Sequence, residues 1–402
     1  MPKKIMVVAG SRWQIPITKK IKDMGHLPHV VNLYEDSPAF LYATKSGVMD
    51  ILDKDACLKF ATENKIDAIL SEECDIAMPT VAYIADNLNL PSQGADKIAL
   101  FTNKFKMREF CRANGLKFPE YRKCSTFDEA AEFFKTVGGK IIIKPLDANS
   151  SRGVFTITSE EELELYFEQA MSFSKVEKCV LAERYIEGTE FTIDGIKTPD
   201  RHYSLAISEK KHYPHNKNIA YELYFSHNNS NFDYEKLKAV NDEYVNLSGL
   251  PFGLTHAEYK YENGEYYLIE IAARGGGNLI SSDIVPVMSE IDNYKYLIDC
   301  SIGECLNENF EVPESLKERC CVLRFFDAPA DGGTVKEIEG TDILTNDPRV
   351  IKWELNFKVG DYIEKAKDDS KRIGFYIAYA DNDKQLKDLM HSIEMSFKII
   401  LD

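Results

Sequence analysis

The sequence predicts a protein of several domains that combines the α/β and α+β classes, and three regions of patterning support this. Residues 1–97 alternate short apolar runs with amphipathic runs, which is the βαβ pattern of an open parallel sheet with helices on its faces. Residues 98–310 mix helices with strands, and two helix starts carry capping-box signatures. Residues 311–402 place strand-like runs between glycine-containing turns. We therefore expect three domains, the last of them α+β.

The first of these domains is predicted from a regular succession of runs. Strand-like runs at 5–9, 29–33 and 66–70 alternate with helical runs at 15–24, 55–64 and 76–88. The first turn between strand and helix, at 9–14, lacks the full GxGxxG fingerprint. A glycine after a strand usually serves only to form a tight turn. The alternative is that backbone amides at the start of the helix help to hold an anionic substrate.

Composition limits the classes of partner. The formal net charge of −16 argues against a nucleic-acid surface, because binding to phosphate backbones needs clustered Lys and Arg. No apolar run approaches about 18 residues, and the N-terminus runs directly into a strand-like segment, so we expect a cytoplasmic protein without a membrane partner. The nine cysteines include no CxxC pair, which predicts reduced thiols rather than a zinc or redox site.

A phosphate-binding segment is predicted where the apolar strand 139–145 ends. Lys144 closes that strand, and the small polar residues 146–154 follow it directly. Such a loop can bring its amides against phosphate oxygens while the lysine supplies a positive charge. No Walker GxxxxGK[ST] motif occurs, so this would be a different phosphate cradle. The alternatives are an ordinary hairpin turn here and a solvated basic turn at Lys104, which begins a helix upstream.

Residues 180–195 predict a strand, an acidic turn and a second strand. An adenine ring needs an apolar slot and hydrogen bonds along its edge, which Glu183 and the backbone of Tyr185 and Ile186 could provide. Glu190 could accept hydrogen bonds from ribose hydroxyls. The alternative is an acidic hairpin that faces only solvent.

A magnesium site is predicted on the hairpin that turns at Asn263 and Gly264. Glu258 and Glu270 stand on its two strands, and paired carboxylates are ligands that Mg²⁺ prefers. A strict two-residue loop would pair Glu258 with Ile269 and leave Glu270 on the opposite face. The metal site therefore requires a bulge or a three-residue loop. The alternative to a metal site is that one of the two glutamates is exposed to solvent and binds no metal.

In order and spacing these clusters resemble the ATP-grasp superfamily, most closely its L-amino acid ligase branch, with similarity also to biotin carboxylase and glycinamide ribonucleotide synthetase. The resemblance covers nearly the whole chain, and residues 321–377 look like the C-terminal domain of that branch. It implies an ATP-grasp fold with a Rossmann-like domain at 1–97, an ATP-grasp domain at 98–310 and a C-terminal α+β domain at 311–402. The lid of the ATP-grasp domain would be roughly residues 117–195.

The resemblance also implies roles for individual residues. Contacts with ATP phosphates would come from Lys104, Lys144, Ser151, Arg152 and Gly153. Glu183, Tyr185 and Ile186 would hold adenine, Glu190 the ribose, and Glu258 and Glu270 the Mg²⁺. Arg274 would steady the acyl phosphate or the substrate carboxylate, so that Arg274 and Lys144 are the catalytic residues. Gly277 and Asn278 would line the acceptor pocket, and His256, on the same face as Glu258, would serve the metal or the substrate.

Two departures from the family pattern bear on these expectations. Many relatives carry an asparagine two residues after the second metal glutamate, where this chain has Ala272, so a second Mg²⁺ would lack one ligand. The phosphate loop has Asp147, Ala148 and Asn149 where relatives often have glycines, which predicts a stiffer lid. The base that deprotonates the amine is left open among four histidines, His202, His212, His215 and His227.

The activity implied is an ATP-dependent ligation of a small carboxylate to an amine through an acyl phosphate, with ADP and phosphate released. ATP and Mg²⁺, with Mn²⁺ as an alternative ion, would be the cofactors. Related ligases are often homodimers, but the residues themselves do not indicate the oligomeric state. Ligation of glycine to phosphoribosylamine and carboxylation of biotin are alternative activities. A module that binds ATP without turnover is an alternative of another class. The identities of the acid and the amine do not follow from residue spacing.

Overall fold

The computed structural model describes residues 1–146, 153–174, 177–305, 308–329 and 331–402. Its strands are β1 (Lys4–Val8), β2 (Leu27–Asn32), β3 (Lys45–Val48), β4 (Ala68–Leu70), β5 (Tyr121–Cys124), β6 (Ile141–Pro145), β7 (Phe155–Ile157), β8 (Val180–Arg184), β9 (Thr189–Lys197), β10 (His202–Tyr213), β11 (Asn216–Ser226), β12 (Gly253–Glu262), β13 (Glu265–Ala272), β14 (Cys320–Phe325), β15 (Gly332–Glu339), β16 (Val350–Leu355), β17 (Tyr362–Glu364), β18 (Gly374–Ala380) and β19 (Lys398–Leu401). Its α-helices are α1 (Ile15–Asp23), α2 (Lys54–Asn64), α3 (Met78–Leu88), α4 (Ala95–Thr102), α5 (Lys104–Asn114), α6 (Phe127–Val137), α7 (Glu160–Ser172), α8 (Tyr234–Leu247), α9 (Val285–Ser289), α10 (Asn293–Ser301), α11 (Thr341–Asn346) and α12 (Asp383–Ser396).

The N-terminal region is a four-stranded parallel sheet in the order β3-β2-β1-β4. Its first strand is buried on both faces: Ile5 and Val7 pack in the cluster that includes α1, whereas Met6 and Val8 pack in the cluster that includes α2 and α3. Parallel strands covered by helices on both sides read as continuous apolar runs. The predicted open parallel sheet is confirmed.

An eight-stranded sheet forms the centre of the molecule, in the order β13-β12-β9-β10-β11-β14-β18-β16. Five of its strands come from the middle of the chain, and three, β14, β16 and β18, come from the C-terminal region. The two sets join where β11 pairs with β14 in antiparallel register. One surface therefore runs from the middle region into the C-terminal region, across the expected boundary at 310.

A second, smaller sheet of strands β5-β8-β6-β7 lies within the expected lid and packs against α6 and α7. Helix α6 begins with the predicted capping box, in which Thr126 and Glu129 satisfy each other's backbone amides. At α7 only half of the predicted box forms: Ser159 accepts from the Glu162 amide, but the Glu162 carboxylate accepts from Thr158. Strand β8 leads through residues 185–188 into β9 of the central sheet.

The remaining C-terminal strands form a three-stranded sheet, β17-β15-β19, and α11 and α12 share a core cluster with β14 and β18. The α+β class predicted for this region is confirmed. Among the residues that the structure describes, no helix is both long and apolar enough to cross a membrane.

The expectation that all cysteines are reduced is wrong for one pair, because Cys300 and Cys305 form a disulfide. The chain turns back after α10 through Gly303, whose φ of 83° closes a tight turn with its amide on the Cys300 carbonyl. This turn returns Cys305 to the side of Cys300. Six further cysteines are free thiols: Cys57, Cys74, Cys111, Cys124, Cys320 and Cys321.

Candidate active site

Polar side chains share one face of the central sheet because alternate residues of a strand point the same way. In the register of the sheet, Glu190 of β9 lies opposite Lys210 of β10 and Lys260 of β12. Two residues further along β9, Thr192 lies opposite Glu258, and Asp194 lies opposite His256. Charged groups from four neighbouring strands, β10, β9, β12 and β13, therefore converge on this face.

A β-bulge brings the two predicted metal ligands together. The hairpin has a two-residue loop, with Glu262 opposite Glu265, and the simple register holds as far as Tyr259 opposite Leu268. The register then shifts by one residue, so that Glu258 lies directly opposite Glu270 and Ile269 is the extra residue. The bulge that the metal site required is present.

Arg108 stabilises this bulge and was missed by sequence reasoning. Its Nη2 donates to the Ile269 carbonyl at 2.6 Å, and its Nε donates to the Glu183 carboxylate at 2.6 Å. The side chain is fully buried on α5. A bulge releases a carbonyl from the strand ladder, and a buried carbonyl without a partner is costly. Arg108 thus ties the hairpin to strand β8 of the lid.

Two cavities meet at these carboxylates. The first, which we call the lid cavity, has a volume of about 160 Å³ between lid and central sheet, and its charged lining includes Lys104, Lys144, Glu183, Arg184, Lys217 and Lys260. The second, the central cavity, has a volume of about 560 Å³, and its lining includes Arg12, Glu73, Asp75, His256, Arg274 and Arg372. Both are lined by Glu190, Asn218, Glu258 and Glu270. A molecule in one cavity therefore reaches the other at the glutamates.

The two predicted phosphate lysines lie in the lid cavity and are both buried. Lys104, the first residue of α5, donates to Glu270 at 2.9 Å, while Lys144, at the end of β6, lies 2.6 Å from the Glu183 carboxylate. Burial lowers the pKa of Lys144 to about 8, despite the attraction of Glu183. For Lys104 the attraction of Glu270 outweighs burial, so its pKa is raised.

The residues predicted to hold adenine are placed differently from one another. Glu183 is buried, and its two oxygens accept from Arg108 and Lys144, so this carboxylate serves to hold cations. Tyr185 and Ile186 line the lid cavity, where the Ile186 carbonyl accepts from Lys260 at 3.3 Å. Apolar side chains and the Ile186 carbonyl border the cavity there, whereas the side chain of Glu183 is already engaged, so contacts of these residues with adenine stay predictions.

Lys210 is a further cation that sequence reasoning did not select. Its Nζ lies 2.7 Å from both the Glu190 and the Glu258 carboxylates, and its side chain is only 10% exposed. Burial would raise the pKa of both carboxyls, but the Lys210 charge lowers it, so both remain ionised. Lys210 thus offsets the charge of both carboxylates and holds them side by side on this face of the sheet.

These carboxylates fit a magnesium ion that also needs ligands from a bound phosphate. Mg²⁺ is commonly held by one or two carboxylates together with phosphate oxygens and water. Glu258 and Glu270 provide two carboxylates where the cavities meet. No group of three or more His, Cys, Asp or Glu that could hold a metal by itself occurs in the described part of the chain. Ala272, the departure noted above, lies opposite His256 and offers no oxygen to a second ion.

His256 is a buried histidine held by a carboxylate. Its Nδ1 lies 3.0 Å from Asp194 Oδ1, and its Nε2 lies 3.8 Å from Glu258 Oε1. Burial disfavours the imidazolium, but Asp194 outweighs it and raises the pKa of His256 to about 9. The Asp194 carboxylate also accepts from the Gly276 amide, and a Cβ at that glycine would lie 2.6 Å from it.

Of the four histidines considered as bases, only His212 lines the central cavity, where its Nε2 lies 3.4 Å from Glu190. His202 is buried between Asp242 and Thr255, which identifies it as a structural residue. His215 and His227 bind backbone carbonyls, those of Ala366 and Met288. The structure thus leaves His212 as the one member of this set beside the candidate site.

Arg274 binds the N-terminal region rather than facing the cavity alone. Its Nε and Nη2 donate to the two Asp75 oxygens at 3.0 and 2.6 Å, and its Nη1 donates to the Gly275 carbonyl. Asp75, a residue missed by sequence reasoning, keeps this guanidinium oriented. Gly277 and Asn278 line the same cavity, and their predicted place in an acceptor pocket stays a prediction. A ligand there would compete with Asp75 for Arg274.

The predicted phosphate loop lies partly outside the described residues. Ser151, Arg152 and residues 147–150 lie outside the residues that the structure describes. Gly153 is described and buried, with a φ of 72° and with the Phe173 ring 2.7 Å from where a Cβ would be. A side chain at this position would be strained and would clash. Gly153 therefore allows close packing against Phe173, and its predicted phosphate contact stays a prediction.

Two consecutive glutamates follow β4 beside the central cavity: Glu72 is fully buried, and Glu73 is half-buried with both carboxylate oxygens shielded from solvent. Glu72 accepts from the Gly275 amide through one oxygen, and neither oxygen of Glu73 has a hydrogen-bond partner among the described residues. Burial raises the pKa of Glu72 to about 7, and burial together with Glu72 raises that of Glu73 well above its usual value.

Replacing Glu72 with glutamine is expected to stabilise the protein at alkaline pH. Because the pKa of Glu72 is higher in the folded chain than its ordinary 4.5, the free energy of unfolding falls as the pH rises from about 4.5 to about 7. At pH 8 the variant should unfold with a free energy about 2–3 kcal/mol higher than the original chain. Urea unfolding at pH 5 and pH 8 measures this, and an equal difference at both pH values would contradict it.

Two known families match separate parts of the chain. Residues 137–283 match the family described as the ATP-grasp domain, and residues 324–401 match the family described as L-amino acid ligase C-terminal domain 2. The crystal structure of an L-amino acid ligase from Bacillus licheniformis superposes with a TM-score of 0.81 at 19% identity, covering 100% of this chain and 99% of that one.

Two curated relatives are more similar in sequence over shorter spans. An uncharacterized Sinorhizobium fredii protein, y4rH, is 26% identical over 304 residues, which is 75% of this chain and 61% of that protein. A formate-dependent phosphoribosylglycinamide formyltransferase from Corynebacterium efficiens is 28% identical over 187 residues, which is 46% of each chain. The chain thus spans about half the length of the curated relatives that it matches.

Proposed function

Because the chain contains an ATP-grasp domain and an L-amino acid ligase C-terminal domain, it belongs to the ATP-grasp ligases, and we propose that it joins a small carboxylate to an amine through an acyl phosphate. The products would be ADP, phosphate and an amide. The observation that carries this proposal is the meeting of two cavities at Glu190, Glu258 and Glu270. Phosphoryl transfer needs its donor and acceptor on opposite sides of one charged centre.

The residues that line the lid cavity are of the kinds that bind a nucleotide, and the cavity, at about 160 Å³, would widen to admit one. Tyr185 and Ile186 would contact adenine, Glu190 the ribose, and Lys104 and Lys144 the phosphates. Glu258 and Glu270 would hold Mg²⁺, which offsets charge on the phosphates when it is bound. The loop that contains Ser151 and Arg152 would close over them.

The reaction would proceed in two displacements. A carboxylate oxygen attacks the γ-phosphorus; an oxygen–phosphorus bond forms, the bond to the bridging oxygen breaks, and ADP leaves with that electron pair. The amine nitrogen then attacks the acyl carbon, and the carbon–oxygen bond breaks as phosphate leaves. The substrate ammonium loses one proton before this attack and a second proton with it. Arg274, in the central cavity, would offset charge on the acyl phosphate.

A phosphoribosyl amine is a second candidate substrate, favoured by the 28% identity to the formyltransferase over 187 residues. Within the described residues, however, each arginine that lines the central cavity faces a carboxylate: Arg12 faces Glu354, Arg274 faces Asp75, and Arg372 faces Asp369. A ribose phosphate carries two negative charges and prefers a cluster of uncompensated cations. A substrate with a single carboxylate, and so with a single negative charge, fits these already paired arginines better.

Hydroxylamine is expected to trap the acyl phosphate. With Mg-ATP and a panel of carboxylic acids that includes formate and the amino acids, at least one acid should give a hydroxamate in a ratio of one to one with ADP. Stoichiometric AMP and pyrophosphate would instead indicate an acyl adenylate and contradict the proposal. Absence of both ADP and hydroxamate across the panel would favour a module that only binds ATP.

A further inference from the structure

The C-terminal region contains a third cavity, which we call the C-terminal cavity, with a volume of about 420 Å³. Its walls come from the hairpin of β10 and β11, from β14 and β18, and from α12 and β19. Six aromatic residues line it: Tyr213, Tyr221, Phe325, Phe326, Tyr376 and Phe397. Within the described residues it shares Phe325 with the central cavity and no residue with the lid cavity. It is therefore a separate site that the reaction proposed above does not use.

The aromatic lining of this cavity suits a ligand that contains an aromatic ring. The ring centres of Phe326 and Phe397 lie 4.5 Å apart, and those of Tyr213 and Tyr221 lie 5.5 Å apart. Tyr213 is fixed in place because its hydroxyl donates to the Phe326 carbonyl at 3.1 Å. Aromatic rings attract one another in edge and offset contacts, beyond the effect of buried area alone. A cavity of this volume has room for one small aromatic molecule.

A loosely made ion pair between Arg324 and Glu394 lines the same cavity. Arg324 is fixed from behind, because its Nη1 donates to the buried Glu222 carboxylate at 3.1 Å. Its Nη2 lies 3.6 Å from Glu394, which is longer than a normal hydrogen bond. The Glu394 side chain is 64% exposed, and ion pairs of this kind contribute little to stability. A ligand can therefore replace the contact between Arg324 and Glu394.

The two charges of an α-amino acid match the two charges of this pair. The carboxylate would accept from Arg324, and the ammonium group, attached to the adjacent carbon, would donate to Glu394. Asp327, which also lines the cavity, offers a second carboxylate to the ammonium group. An acid without an amine would bring a third negative charge beside Asp327 and Glu394. An amine without an acid would draw Glu394 away from Arg324 and give Arg324 no new partner.

The hairpin of β10 and β11 connects this cavity to the other two. Tyr213 and Tyr221 line the C-terminal cavity, whereas His212 lines the central cavity and Lys217 the lid cavity. We infer that the C-terminal cavity binds an aromatic amino acid as an effector, distinct from any substrate, and that its occupancy changes nucleotide binding through this hairpin.

Calorimetric titration without ATP tests the binding of matched ligands. L-phenylalanine is compared with L-phenylalaninamide, which lacks the carboxylate, and with 3-phenylpropanoate, which lacks the amine. L-phenylalanine should bind about two- to fivefold more tightly than either, the range of an exposed ion pair. Glu394→Gln should weaken the binding of L-phenylalanine by a similar factor and should not weaken that of 3-phenylpropanoate. Asp388→Asn, an exposed residue of α12 outside the cavity lining, is the control.

Ile399→Trp tests the location of the ligand, because an indole at this position of the lining would fill the cavity. The binding that depends on Glu394 should then be lost. If this variant does not fold, Glu394→Gln, at an exposed position, decides the question alone. The inference is overturned if L-phenylalanine fails to bind below about 5 mM, or if its affinity and stoichiometry are unchanged in Glu394→Gln.

Titration of Mg-ADP tests the effect on the nucleotide. Saturating L-phenylalanine should change the Kd of Mg-ADP at least about twofold, and Mg-ADP should change the Kd of L-phenylalanine by the same factor, because coupling between two sites is reciprocal. Ile399→Trp should remove both changes. Unchanged binding of Mg-ADP at saturation would overturn the role of effector. If Mg-ADP does not bind at all, the proposed function fails, whereas the titrations without nucleotide still decide whether the cavity binds the amino acid.

Discussion

Glutamine in place of Glu258 or Glu270 is expected to lower turnover about 10²- to 10³-fold, the scale of removing one preorganised charged group. The two carboxylates lie directly opposite each other on β12 and β13, where both cavities meet. Glutamine keeps the size of the side chain but removes the charge that holds a cation. The same variants should need more Mg²⁺ for half-maximal rate, because each weakens one of the two proposed protein ligands of the ion.

Direct binding of nucleotide provides a measurement that does not depend on turnover. Titration of ADP with and without Mg²⁺ should show that Mg²⁺ strengthens binding to the original chain and strengthens it less in each variant. Glu265→Gln is the matched control, since Glu265 lies on the same hairpin but pairs with Lys236 outside both cavities. Unfolding is measured in parallel because Glu270 also pairs with Lys104. An Mg²⁺ dependence unchanged in both variants would remove these residues from the metal site.

Lys144→Ala should reduce turnover about 10²- to 10³-fold, because it deletes a buried positive charge from the lid cavity. The pH profile of the original chain offers a second test. Burial lowers the pKa of Lys144 to about 8, and a lysine is charged below its pKa. For ATP, kcat/KM should therefore fall as the pH rises through about 8. Bound phosphates would raise this pKa, so kcat should be less sensitive.

Lys144→Arg distinguishes loss of charge from loss of shape. Arginine stays protonated throughout this range, so the alkaline fall in kcat/KM should move to higher pH even if the rate is lower. Lys135→Ala, on the exposed outer face of α6, controls for general effects on the lid. Near-normal ADP formation by Lys144→Ala, or an alkaline limb that persists unchanged in Lys144→Arg, would place Lys144 outside the chemistry.

Local patterns in the sequence were sufficient for much of the fold. Alternating side chains in residues 258–270 and the turn residues Asn263 and Gly264 predicted a hairpin with a two-residue loop. In such a hairpin Glu258 and Glu270 can lie opposite each other only if the strand register is interrupted, for example by a bulge. The structure contains that irregularity at Ile269. The roles of Glu258 and Glu270, and of the other site residues, stay predictions.

Groups that hold those residues in place were missed because their partners are distant in the chain. Arg108 meets Glu183 and the Ile269 carbonyl across 75 and 161 residues, and Arg274 meets Asp75 across 199 residues. Nothing local to residue 108 distinguishes it from a solvated arginine on a basic helix. Full burial of such a side chain depends on which elements pack around it.

The sequence by itself determined the local elements and the face on which each strand places its charged residues, because side-chain alternation is a property of the strand alone. The alternation of apolar and amphipathic runs also predicted the α/β and α+β classes, whereas the ATP-grasp fold itself was implied by the resemblance to that family. Only the tertiary structure decided which strands are neighbours: β9 lies between β12 and β10, and β14 continues the sheet beyond β11. Strand order follows from long-range packing that no local pattern encodes, and it is this order that brings Lys210 between Glu190 and Glu258 and adds Arg372 to the central cavity.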